Sequence, residues 1–183
     1  MSNVVQQAEV WVWLDLEMTG LEPRNDKILE ASCILTTKHL REYTTVPFSE
    51  VVSQPDSVLE SMSEWCIEHH GDSGLTDACR QSRKDISAVE NALIAYIQEH
   101  TLPTDTLYLA GNSIHMDRAF IKEHMTGLDS LLHYRMIDVT SIGIVCSTMG
   151  IEPYAKDAPH RALDDIRLSI AELSYYLSHM RKD

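Results

Sequence analysis

The chain is poor in positive charge. It holds 15 Lys and Arg against 28 Asp and Glu, a net −13 at pH 7. Residues 42–79 hold eight acids and no Lys or Arg. A groove that grips long nucleic acid neutralises many phosphates and is Lys/Arg-rich, so this composition excludes one. The same charge argues against a peripheral binder of anionic membranes. Long hydrophobic runs are also missing: nothing approaches the roughly 18 consecutive apolar residues of a membrane helix. The opening MSNVVQQAEVWVW lacks a basic n-region with an apolar h-region, and it has no Arg-rich amphipathic character. The expected location is the cytoplasm, or the mitochondrion if a presequence is removed. Cys33, Cys66, Cys79 and Cys146 form no C-x-x-C pair, which argues against a zinc knuckle or thioredoxin-type site. They are expected as buried free thiols in a reducing compartment.

What is present fits one ordinary domain. The 183 residues are 44% hydrophobic and 23% charged. A domain of this size buries about 70% of its unfolded surface and needs no disulfide or structural metal. No repeat, low-complexity run or linker divides it, so 1–183 is read as a single domain. Residues 9–16 (EVWVWLDL) read as a central strand and 27–36 (KILEASCILT) as the next. A third strand is expected at 43–47 or 50–52. Apolar spacing predicts a helix over 57–70 and a clearer one over 87–100, with Ser87 and Glu90 in capping-box register. A short strand is expected at 106–110, a helix at 117–125, a strand at 135–139 and a helix at 141–149. A long amphipathic helix spans 160–180. Strands first, then alternating helices and strands, give an α/β fold with a mixed sheet flanked by helices.

Three groups of residues carry candidate chemistry. Asp15 and Glu17 end the first strand two residues apart, so both point to one face. Carboxylates at the end of a strand apolar on both sides are costly to bury without a cation, which suggests a divalent metal. A solvent-exposed strand end is the bland alternative. Asp117 sits in G-N-S-I-H-M-D (111–117), where it also suits a helix N-terminus. His160 and Asp165 lie five apart, about 140° round a helix, and share a face only if His160 precedes it. Pro159 fits that placement, and Asp164 and Asp165 also favour a first helical turn.

Together with the strings VWLDLEMTGLEP (12–23), SMSEWCIEHHGDSGL (61–75), AGNSIHMDRAF (110–120), HYRMIDVTSI (133–142) and HRALDDIRLSIAEL (160–173), these acids and the histidine resemble the DEDDh 3′→5′ exonucleases. Within them the chain is similar to the oligoribonuclease family. The resemblance implies an RNase H-like mixed five-stranded sheet. It implies Asp15, Glu17, Asp117 and Asp165 as ligands of two divalent ions, Mg²⁺ or Mn²⁺, and His160 as general base. Very short RNA, down to dinucleotides, would be hydrolysed to nucleoside 5′-monophosphates. Leu21 and Trp65 would sandwich bases. Ser113, Arg135, Thr140 and His70 would cap a 5′ phosphate. Tyr134 would reach into the partner site of a homodimer. Asp164 falls outside the His-x4-Asp register.

Two departures stand out. The family's Arg-Arg-Trp segment after the IDV strand is replaced by residues 144–150 (IVCSTMG), which removes charge and an aromatic. Thr140 stands where Ser is common. Two other readings remain open from the sequence: a DNA proofreading or repair exonuclease with the same acids, and a non-catalytic RNA-binding protein.

Overall fold

Alternation along one strand explains the layering. A computed structural model of the chain describes residues 7–155 and 161–180. Strand β1 (Glu9–Met18) sends Val10, Val12 and Leu14 to one face and Trp13 to the other. It is apolar on both sides because helices cover both sides. β2 (Ile28–Thr37) pairs with β1 antiparallel, and β3 (Phe48–Val51) pairs antiparallel with β2. β4 (Thr106–Gly111) and β5 (Met136–Asp138) continue the sheet in parallel on the other side of β1. The order is β3-β2-β1-β4-β5, the mixed five-stranded sheet expected.

Between β3 and β4 lie α1 (Asp56–Leu59), α2 (Glu64–Asp72), α3 (Leu75–Gln81) and α4 (Ile86–His100). After β4 come α5 (His115–His124) and α6 (Thr126–Leu131), and after β5 come α7 (Val139–Thr148) and α8 (Ala162–Met180). Val10, Val12 and Leu14 join Val89, Leu93 and Ile97 of α4 with Phe120 of α5 in one cluster. Trp13, Ala110, Val139, Ile166 and Leu173 form a second under α7 and α8. A third cluster, with Leu29, Met62, Cys66 and Leu75, holds the small helices against β2. All four cysteines are buried and free, as expected.

Local chemistry moved several boundaries. The helix expected over 57–70 is two helices, because the Ser63 hydroxyl accepts the Cys66 N–H and restarts the turn as an N-cap. The capping box at Ser87 does not form. Asp85 caps α4 by accepting the Ala88 N–H, while Glu90 accepts the Leu128 N–H at the start of α6. α3 and α6 were not anticipated. The third strand occupies 48–51, overlapping the second expected segment, 50–52, and beginning two residues earlier.

Candidate active site

The C-terminal ends of β1, β4 and β5 point the same way, and the polar groups collect there. Ligand sites of open sheets with parallel strands favour this edge. Asp15 and Glu17 lie on the face covered by α8, and Asp165 in the first turn of α8 meets them. One carboxylate oxygen from each of Asp15, Glu17 and Asp165 lies within 4.8 Å of the others. Asp117, in the first turn of α5, is buried beside them and accepts the Leu16 N–H at 3.0 Å. Asp164 points elsewhere, toward Arg167 at 3.8 Å. His160 lies outside the described residues.

The electrostatics show what the acids lack. Burial, then the repulsion of Asp117, Glu17 and Asp165, pushes the Asp15 carboxyl well above its usual range. Burial, with Asp165 and Glu30 beside it, raises Glu17 to about 8 against a pull from Arg161. Burial raises Asp117 to about 7, offset in part by the Leu16 N–H. Closely set carboxylates that resist ionising form a site for a hard cation, since oxygen donors suit Mg²⁺ and Mn²⁺. The donor set therefore fits the metals that the sequence resemblance implies.

Two residues of this site escaped the sequence reading. Glu30 of β2 stands directly across from Glu17 and is 2% exposed. Arg161 grips it with a fork, Nη2 to Oε1 at 2.7 Å and Nε to Oε2 at 3.1 Å. The available signal was Glu30 itself, one acid inside the apolar run KILEASCILT.

Beside Glu17 opens an apolar cavity of about 650 Å³, lined by Leu16, Met18, Leu21, Trp65, Cys66 and His70 among others. Leu21 is 70% exposed and Trp65 57% exposed, so neither is core. The loop carrying Leu21 is pinned by Asp26, which accepts from Thr19 Oγ1 and the Glu22 N–H. A β-carbon at Gly20 would sit 2.5 Å from that carboxylate, so a side chain there would push Asp26 off its two donors. His70 is buried in the pocket wall, where its Nε2–H donates to the Met18 carbonyl at 2.9 Å. Burial lowers its pKa, so it is neutral near pH 7.

Ser113 and Thr140 meet at the ends of β4 and β5. The Ser113 N–H donates to Asp138 Oδ1 and Thr140 Oγ1, both at 3.0 Å, and the two hydroxyls lie 3.2 Å apart. Ser113 has φ +46°, a conformation that costs a non-glycine residue about 1–3 kcal/mol and is held here by those bonds. Asn112 is tied to Glu172 of α8 at 2.8 Å. Tyr134 and Arg135 are exposed just before β5, with the guanidinium 5.1 Å from the ring centroid. Thus Leu21, Trp65 and His70 form one group, Ser113 and Thr140 a second, and Tyr134 and Arg135 a third. His70 lines the same cavity as Leu21 and Trp65, apart from Ser113 and Thr140.

The exonuclease family RNase_T matches residues 12–173. The mouse protein named mitochondrial oligoribonuclease is 41% identical over 179 residues, covering 96% of this chain and 75% of that one. Oligoribonuclease of Colwellia psychrerythraea is 43% identical over 168 residues, covering 90% and 92%. This chain belongs to the oligoribonuclease family of exonucleases. As a member it is a nuclease that hydrolyses phosphodiester bonds. The zinc-bound E. coli exonuclease I–ssDNA structure superposes with TM-score 0.68 at 13% identity, covering 96% of this chain and 41% of that chain. That likeness shows the shared fold alone, and the chain spans about two fifths of the exonuclease I polypeptide. Oligoribonuclease-family relatives near 40% identity favour the RNA reading over the DNA-repair and non-catalytic alternatives. Among the described residues, no helix is long and apolar enough to cross a membrane.

Proposed function

We propose that the chain is a 3′→5′ exoribonuclease for the shortest RNA fragments, dinucleotides above all, releasing nucleoside 5′-monophosphates. The observation that carries this reading is the trio of Asp15, Glu17 and Asp165 beside an apolar pocket with exposed Leu21 and Trp65 on its rim. Asp15, Glu17, Asp117 and Asp165 would hold two divalent ions, Mg²⁺ or Mn²⁺. Such ions, when bound, neutralise the scissile phosphate and stabilise the charge that builds on its oxygens. Leu21 and Trp65 hold the base by contact with its faces, which every base offers. Arg135, Ser113 and Thr140 receive the 5′ end, with the guanidinium matching phosphate geometry. Water attacks phosphorus, the bond from phosphorus to the 3′ oxygen of the preceding nucleotide breaks, and His160 accepts the water's proton. Its ordinary pKa of about 6.5 suits that role near neutral pH.

Charge supports the short substrate. The acid-rich run 42–79 includes α2, which lends Trp65, Cys66 and His70 to the pocket and carries exposed Glu64 and Glu68 one and three residues from Trp65. A longer strand that ran along α2 would meet this negative charge, which a dinucleotide in the pocket would avoid. The test is hydrolysis of 5′-labelled RNA and DNA of two, five and twenty nucleotides with Mg²⁺. The dinucleotide of RNA should be cleaved fastest per end, and equal rates at all lengths would refute the cap. Exposed Tyr134, Ile144, Val145 and Met149 support a homodimer in which Tyr134 enters the partner's site. Sedimentation would show a monomer if that is wrong. The cytoplasm is the proposed location, to be read by imaging the tagged chain.

A further inference from the structure

The Glu30–Arg161 pair lies in the site, yet neither residue is among the four acids or the histidine. Glu17 and Glu30 face each other across an antiparallel pair, where like charges repel. The Arg161 guanidinium answers this with two bonds to Glu30 and a third, Nη1 to the Ser73 carbonyl at 3.4 Å, at the C-cap of α2. Its own carbonyl accepts the N–H groups of Asp164 at 2.9 Å and Asp165 at 3.1 Å, opening α8. One residue thus ties β2, the end of the pocket helix α2 and the helix turn that bears Asp165.

We propose that Arg161, locked by Glu30, is a positioning residue: it sets the start of α8 so that Asp165 closes the carboxylate cluster in register with the pocket wall. This rests on the metal-dependent reading of the cluster. A buried ion pair is weak evidence for stability, because a matched apolar replacement is often neutral, whereas removing one partner strands a charge. That asymmetry separates packing from positioning. E30M and R161M singly should lower the melting temperature, and the E30M/R161M double variant should recover most of it. The double variant also leaves net charge unchanged, so altered cation binding reports geometry.

The experiment compares wild type, E30M/R161M, R161K and D165N by melting, by Mn²⁺ titration calorimetry and by kcat and KM on a dinucleotide. Misplacement by about 1 Å can cost roughly 100-fold in rate. The double variant should therefore melt near wild type, bind Mn²⁺ at least ~10-fold more weakly and lose ~10- to 100-fold in kcat with a smaller change in KM. R161K, with the charge but no fork, should fall between. Wild-type Mn²⁺ affinity and kcat in the folded double variant would overturn the proposal. If the double variant does not fold, the same two readouts on R161K decide. Retention of Mn²⁺ binding and activity by D165N would instead overturn the metal reading.

Discussion

Removing divalent ions should make the chain less stable as the pH rises. Glu17 titrates near 8 in the folded chain against an ordinary 4.5, chiefly because it is buried. A carboxyl protonated when folded and ionised when unfolded binds an extra proton in the folded state. Stability is then full below about 4.5 and falls as pH climbs toward 8. At about 1.4 kcal/mol per pH unit, Glu17 alone accounts for about 5 kcal/mol between those limits. Each kcal/mol moves the melting point of a chain this size by about 2–4 °C, so a drop on the order of 10 °C is expected. The assay is thermal melting in EDTA from pH 5 to 8, repeated with Mn²⁺. Mn²⁺ at pH 8 should restore the loss, since a ligand that binds only the folded state stabilises it. E17Q removes the ionisable group, so its EDTA melting point should exceed wild type at pH 8 and respond less to Mn²⁺. An EDTA melting point flat from pH 5 to 8, with E17Q no different, would refute the electrostatic account of the cluster.

Other consequences can be checked separately. W65A should raise KM for a dinucleotide by about 5- to 100-fold, the worth of one stacked base, with melting little changed because the side chain is exposed. R135A should slow dinucleotide cleavage by roughly 10-fold, about one charge-assisted hydrogen bond, yet spare an activated mononucleotide ester that has no second 5′ end. D85A should cost about 1 kcal/mol in denaturant melts as a lost N-cap, while S87A should be near neutral. D15N should abolish hydrolysis in Mg²⁺ while melting cooperatively; full activity would contradict its ligand role.

The sheet and the long helices were legible because burial writes itself as periodicity. VWVWL announced a strand covered on both faces, and that is where it lies. The breaks were less legible. Ser63 and Asp85 take backbone N–H groups by side-chain geometry, which apolar spacing does not encode. Asp15, Glu17 and Asp165 were readable only in conjunction, since each alone suits a strand end or a first helical turn. Glu30 and Arg161 stand 131 residues apart, and their fork appears only once β2 and α8 are placed together. His70 was recognisable as a site residue, but its place in the pocket depends on how α2 crosses the end of β1.

The cluster's scatter along the chain has a kinetic side. Asp15, Asp117 and Asp165 come from β1, α5 and α8, so they meet only after parallel pairings that close long loops. Contacts of that separation form late, because loop closure is costly before other contacts support it. On the proposed reading, a growing polypeptide that has not yet supplied α8 lacks Asp165 and would not complete the cation site. Hydrolytic competence would then be withheld from the nascent chain until α8 docks.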